Sequence, residues 1–231
     1  MAYCSTTQWV AKSPYVKLTV NQSSSDGDSA ILSWTLQYIA AYAASTNNVK
    51  SYSVSIGGSE VKSGTFNING KTGTHNIASG TKTINKTHKS QDISFNCSFS
   101  FDLKWSGVWG YTKTASGSIS VAAKTAYSIN FSANGGSGSI STQTKWHGES
   151  LTLRTYSGLS KTGYTFSKWN TASNGGGTSY ASGGSYTANA AATLYAQWTP
   201  NTYTITFNAN GGTGGPGTQT KTYDKALTIS T

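Results

Sequence analysis

Charge is what this chain has least of. Only 10% of its 231 residues are Asp, Glu, Lys or Arg, against roughly 25% in an average soluble protein. The seven acids are Asp26, Asp28, Glu60, Asp92, Asp102, Glu149 and Asp224. Most fall in turns or on outward strand positions, so they do not read as the paired carboxylates that glycoside hydrolysis needs. Asp26 and Asp28 share a Ser/Gly loop, but Ca²⁺ wants six to eight oxygens, and solvated turn residues are the better reading. The three histidines, His75, His88 and His147, have no metal-ligand spacing with one another or with a cysteine. Two cysteines, Cys4 and Cys97, do not make a disulfide framework. No apolar run is long enough to span a bilayer. No Gly-x-Ser-x-Gly elbow and no phosphate-binding loop appears. These absences together argue against an enzyme, against a cofactor or metal, and against a membrane span.

The net charge of +10 arises from few acids rather than from a basic block. Arg154 is the only arginine, and the lysines are scattered. Nucleic-acid readers use clustered Lys and bidentate Arg, so no nucleic-acid partner is expected. A diffuse positive field would instead assist approach to an anionic cell wall. The opening Met1-Ala2-Tyr3-Cys4 has neither the basic start nor the apolar run of a secretory signal. The expectation is synthesis in a bacterial cytoplasm and release within a particle.

What fills the chain is Gly, Ser, Thr, Asn and aromatics, the last at 12%. Period-two alternation places Ile93, Phe95, Cys97, Phe99, Phe101, Leu103 and Trp105 on one face of a single strand. Val16, Leu18 and Val20 alternate likewise, as do Leu32, Trp34, Leu36 and Tyr38, and Tyr52, Val54 and Ile56. Shorter strands are expected at Thr65 to Ile68, Thr74 to Ile77, Thr81 to Ile84 and Ser116 to Val121. Ile39 to Ala44 is Ala-rich and could form one helical turn. Seven or eight one-sided strands over residues 1–125 predict an immunoglobulin-like or jelly-roll β-sandwich. Cys97 should act as a small hydrophobe in its core. An internal Lys–Asn cross-link would need a core lysine beside an acid, and Lys17 and Lys104 alternate outward.

Beyond residue 125 the sequence repeats. Tyr127-Ser-Ile-Asn-Phe-Ser-Ala-Asn-Gly-Gly136 returns as Tyr203-Thr-Ile-Thr-Phe-Asn-Ala-Asn-Gly-Gly212, at an interval of 203 − 127 = 76. Gln143 and Gln219, Lys145 and Lys221, and Leu151 and Leu227 keep the same interval without a gap. Asn-Gly at the tip of a hairpin accepts positive φ at both positions. Three motifs make the first copy specific: Phe131-Ser-Ala-Asn-Gly-Gly136, Gly163-Tyr-Thr-Phe-Ser-Lys-Trp169 and Thr193-Leu-Tyr-Ala-Gln-Trp198. With these it resembles the Listeria–Bacteroides (internalin-type B) repeat of bacterial surface proteins and some phage proteins. The resemblance implies a small β-grasp-like sheet with a crossing segment, used as a spacer or adhesive unit, and supplies no catalytic residue. Its structural positions would be Phe131, Asn134, Gly135, Gly136, Gly163, Tyr164, Phe166, Trp169, Leu194, Tyr195 and Trp198. Lys168 and Asn170 depart from the family pattern and are expected to alter only a surface turn. The second copy lacks counterparts of Gly163-Tyr164 and Trp198.

The whole therefore reads as all-β and mainly antiparallel: a sandwich over 1–125, a repeat over 126–199 and an incomplete repeat over 200–231. Leu32-Ser-Trp-Thr-Leu36, Lys71-Thr-Gly73, Ile84-Asn-Lys-Thr-His88 and Trp105-Ser-Gly107 resemble structural proteins of tailed phages with Gram-positive hosts. That resemblance implies a non-enzymatic virion component, a tail, tail-fibre or receptor-binding protein. Its partners would be other virion proteins, further copies of itself and host cell-wall polysaccharide. A bacterial surface adhesin or carbohydrate-binding module is the alternative, and the binding arm of a cell-wall hydrolase a third. The one candidate binding cluster is Trp105, Trp109 and Tyr111, whose rings beside hydroxyl-rich surface suit a sugar; packing of the same rings across a hairpin is the plainer reading.

Overall fold

The computed structural model describes residues 2–5, 14–43, 49–101 and 111–230. Its chain falls into two units, residues 1–125 and 126–231. Strands joined by turns build both, and no helix occurs among the described residues.

The first unit contains β1 (Ala2–Ser5), β2 (Tyr15–Ser25), β3 (Ser29–Ala40), β4 (Val49–Ile56), β5 (Ser59–Asn67), β6 (Gly73–Asn85), β7 (Gln91–Phe101) and β8 (Tyr111–Val121). They form two antiparallel sheets, ordered β1-β2-β3-β6 and β5-β4-β7-β8. Strands β2, β3 and β6 face β5, β4, β7 and β8 as the A-B-E and C′-C-F-G strands of an immunoglobulin-like sandwich do. This decides between the two sandwich types the sequence left open. The period-two faces predicted from sequence meet in one core: Val16, Leu18, Leu32, Leu36, Val54, Ile56, Cys97 and Phe99 are fully buried. Tyr38 stacks on Phe99 across the two sheets, ring centroids 6.2 Å apart. Cys97 is fully buried within this core.

Two local expectations fail for physical reasons. Thr74–Ile77 and Thr81–Ile84 are parts of one strand, β6, because Gly80 does not break it. Gly80 lies opposite Trp34, and an added Cβ there would stand 2.9 Å from the indole. The glycine makes room for a ring rather than a turn. Gly64 opposite Tyr52 and Gly117 opposite Phe95 repeat the device. The helical turn expected from Ile39 does not form either: Ile39 and Ala40 continue β3, paired with Thr74 and Gly73, and residue 44 lies outside the described residues. Leu103 and Lys104 lie outside them too.

The second unit contains β9 (Ala126–Ser132), β10 (Gln143–Trp146), β11 (Leu151–Thr152), β12 (Tyr164–Asn170), β13 (Ser179–Tyr180), β14 (Ser185–Tyr186), β15 (Ala192–Pro200), β16 (Thr202–Ile205) and β17 (Gln219–Thr222). The complete repeat is a five-stranded sheet in the order β10-β9-β15-β12-β13. Its central pair, β9 and β15, is parallel, with Ile129 opposite Ala192 and Phe131 opposite Leu194; its other pairs are antiparallel. The parallel pair requires a crossover, and residues 147–191 supply it without a helix. The crossover carries Leu153, Leu159 and Tyr186 into the core beside Ile129, Trp169, Leu194 and Ala196, and is held by the short β11–β14 pairing. The incomplete copy forms a hairpin, β16–β17.

Candidate functional site

Trp105 and Trp109 lie outside the described residues. Of Tyr111 the backbone is described, at the start of β8 opposite Phe101. The aromatic cluster that the structure assembles from described residues lies in the repeat.

Its hub is Trp169, fully buried on β12. Phe131 and Phe166 each meet it edge-on with centroids 5.0 Å apart, the geometry that aromatic quadrupoles favour. Its indole N–H donates to Arg154 O at 3.2 Å, fastening the crossover to the sheet. Trp198 meets Phe166 edge-on and donates from Nε1 to Ala133 O at 2.8 Å. Its ring leaves no space at Gly136, where a Cβ would stand 2.7 Å from it. Asn134, in the left-handed region at φ 48°, donates from Nδ2 to Ser173 O and Ala196 O, and Gly135 completes the turn at φ 82°. Leu194 is fully buried, while Tyr195 is half-buried and pairs with Asn170.

Asn170 corrects the sequence reading. It is fully buried, not part of a surface turn. Its Nδ2 donates to Gly175 O, Gly177 O and Ser179 Oγ, and its Oδ1 accepts from Ala172 N and Gly177 N. One amide therefore organises the Gly-rich loop from inside. Lys168, the other departure, is exposed beside a bulge between Phe166 and Lys168. Sequence reasoning also missed a buried lysine. Lys145 Nζ donates to Trp146 O at 2.6 Å and Asn189 Oδ1 at 3.0 Å, and the same Asn189 oxygen accepts from Gly148 N.

The complete repeat meets the incomplete copy at Asn201, the single residue between β15 and β16. Asn201 N donates to Gly163 O, and Asn201 O accepts from Tyr223 N, both at 2.8 Å. Its Oδ1 accepts from Thr165 Oγ1 at 2.7 Å. The Tyr223 ring lies on Gly163, where a Cβ would come within 2.3 Å of it; Gly163 also needs its positive φ of 75°. Tyr164 meets Tyr223 edge-on at 5.5 Å, and the Lys161 ammonium sits 4.5 Å from the Tyr164 ring centre, within cation–π range. These side chains, with Gly135, Gly136, Ser137, Thr162 and Asp224, line an open cleft of about 430 Å³. Aromatic edges, a cation and a carboxylate suit a polar, ring-shaped ligand such as a sugar.

In the first unit, Asp26 is a turn cap. Its Oδ1 accepts from Asp28 N and Ser29 N, and its Oδ2 from Ser29 Oγ. The Ser29 N–H foremost, then that of Asp28 and the Ser29 hydroxyl, hold its carboxyl below the ordinary 3.8. Among the described residues no three His, Cys, Asp or Glu side chains come together as a metal cluster.

A five-stranded module with an aromatic hub, joined through one residue to the start of the next, defines a tandem-repeat β protein. Residues 127–197 and 203–231 match the Listeria-Bacteroides repeat domain, so the motif reading of the second unit holds. A protein of Evansella cellulosilytica named "Putative Gly-rich membrane protein" is 46% identical over 55 residues. That stretch is 23% of this chain and 6% of that protein. No solved structure matches.

Proposed function

We propose that the chain is a non-enzymatic structural component of a tailed-phage virion, a tail, tail-fibre or receptor-binding protein that holds repeat modules out toward the host surface. The observation that carries this reading is the junction at Asn201. Both of its backbone groups and its side-chain oxygen are bonded across the boundary between complete repeat and incomplete copy, and Tyr223 packs onto Gly163. A boundary made this way couples one copy to the next, as a spacer needs and a flexible tether does not. Charge-poor, hydroxyl-rich surface suits exposure on a particle. The Lys161–Tyr164–Tyr223 cleft supports contact with cell-wall polysaccharide, and assembly with further copies would multiply weak sugar contacts. Antibody raised to the recombinant chain, applied to purified particles and to cells of the source strain, tests the proposal. Labelling of a particle appendage is expected. Particles without label, beside labelled cell envelopes, would refute it.

A bacterial surface adhesin is the second reading. The name of the Evansella relative, a membrane protein, favours it, and labelled envelopes would support it.

A further inference from the structure

A second opening in the complete repeat, a groove of about 510 Å³, runs between two stretches of chain. Ser139, Ile140 and Ser141 line one side, and Leu153, Arg154, Thr155 and Ser157 the other. Both ends of the groove are tied. At one end Ser137 N donates to Ser160 O at 2.7 Å and Ser160 N to Ser137 O at 3.1 Å. Beside that bridge Gly138 approaches Gly158 O too closely for any side chain. At the other end Gln143 donates to Thr152 O at 3.0 Å and accepts from Arg154 N at 2.8 Å. The walls are therefore set before any ligand arrives, which lowers the ordering cost of binding.

The lining is rich in donors and holds no acid. Arg154, the one arginine of the chain, is fixed through its main chain: its N–H on Gln143 and its carbonyl under the Trp169 indole. Its exposed guanidinium has no carboxylate partner among the described residues. The hydroxyls of Ser139, Ser141, Thr155 and Ser157 make no hydrogen bond among them either. A guanidinium fork between two rows of hydroxyls calls for an oxyanion.

The incomplete copy shows that the fold does not require these side chains. At the interval of 76, Gln219 donates to Thr228 O and accepts from Ser230 N, the same tie as at Gln143. Yet Ser230 stands in the place of Arg154, and Gly215, Pro216 and Gly217 in the places of Ser139, Ile140 and Ser141. The backbone scheme survives without the arginine or the serines, so their presence in the complete repeat answers to something other than folding.

We propose that this groove binds a phosphodiester within a chain of hydroxylated carbon units, the repeating group of an anionic polyol or sugar-phosphate polymer. A tetrahedral phosphate offers oxygens to the guanidinium and to hydroxyls of both walls at once, whereas a flat carboxylate taken by the fork turns to one side only. The groove is larger than one phosphate, and Leu153 and Ile140 leave an apolar floor for the carbons on either side. The site is separate from the Lys161 cleft, and its chemistry does not depend on whether the chain stands on a particle or on a cell.

The experiment titrates glycerophosphoglycerol, one diester between two polyols, into the full chain and reads amide NMR shifts. Saturable shifts at residues 139–141 and 153–157 are expected, with a Kd of about 1–10 mM for this single unit. Arg154→Gln should weaken binding about tenfold. Arg154→Lys should weaken it nearly as much, because an ammonium keeps the charge and loses the fork. Both should fold, since the bonds to Gln143 and Trp169 use only backbone atoms of Arg154. Lys62→Gln, the same loss of charge at an exposed position of the first unit, should change nothing. Digalacturonate should bind more weakly than the diester, and maltose not at all. No saturation at these amides, undiminished affinity of Arg154→Gln, or tighter binding of digalacturonate would each overturn the proposal. Shifts confined to residues 161–164 and 223 would overturn it too, while leaving the sugar contact of the Lys161 cleft standing.

Discussion

Among the described residues the sandwich closes around nineteen buried apolar side chains, and the complete repeat around seven. Both use the same Gly-, Ser- and Thr-rich alphabet. The sandwich can rely on long ladders, such as β3 on β6 from Ser29 to Ala40, and on area removed from water. The repeat is smaller, and a single core of its size leaves little margin of stability. It adds side-chain hydrogen bonds, most of them part-buried: Asn134 on Ala196 O of β15, Asn170 on loop carbonyls, Gln143 on Thr152 O, Lys145 on Asn189, and two indoles on backbone oxygens. Small modules can thus be stapled by amides, provided every staple is satisfied.

The largest test of this contrast is Trp169→Ala. It empties the hub and frees Arg154 O, and should destabilise the repeat by about 3–5 kcal/mol while leaving the sandwich intact. Calorimetry should show one transition falling and the other unmoved; a joint fall would mean that the two units do not unfold independently. Asn170→Ala follows at about 2–4 kcal/mol, because it removes the five hydrogen bonds of a fully buried amide with no loss of apolar area. Chemical denaturation measures it, and a loss under about 0.5 kcal/mol, the range of ordinary surface substitutions, would show that amide staples are dispensable.

On the sandwich side, Gly80→Ala pushes a methyl against Trp34 and should cost about 1–3 kcal/mol. An unchanged melting temperature would show that the indole moves freely. At the junction, Tyr223→Ala removes one ring and should barely alter the stability of the complete repeat. Its effect should appear in NMR relaxation, as independent motion of residues 203–230.

The smallest effect is at Asp26. Its folded carboxyl is held below its ordinary value of 3.8, so its contribution is present above that pH and fades as pH falls through the lowered value. Asp26→Asn should therefore lower the melting temperature slightly at pH 7, with the difference from wild type vanishing in strong acid. A difference independent of pH would contradict this.

These tests also mark what was readable from sequence. Alternation gave the inward faces of β2, β3, β4 and β7, because burial on one side of a strand imposes period two. Extended two residues toward the start of β4, the Tyr52, Val54, Ile56 face would have reached Lys50, which is buried. The repeat motifs located Trp169 and Trp198. What stayed hidden depends on the path of the crossover: Asn189 meets Lys145 across 44 residues, and no local pattern announces that contact. Asn170 looked like a surface-turn residue because its partners lie in a loop whose shape it creates. Gly80 gave no sign of its role, because a glycine making room for a ring and one turning the chain are spelled alike.

The parallel placement of β9 beside β15 has a mechanical side. The chain enters the complete repeat at the start of β9 and leaves it at the end of β15. A pull on the two ends therefore slides these neighbours past one another, loading the bonds between residues 129–132 and 192–195 together instead of one at a time. The β16–β17 hairpin, antiparallel and joined at one end, would open like a zipper under the same pull. An appendage of complete repeats would resist tension through its central strand pairs, and its weakest point would be any half-repeat left uncovered.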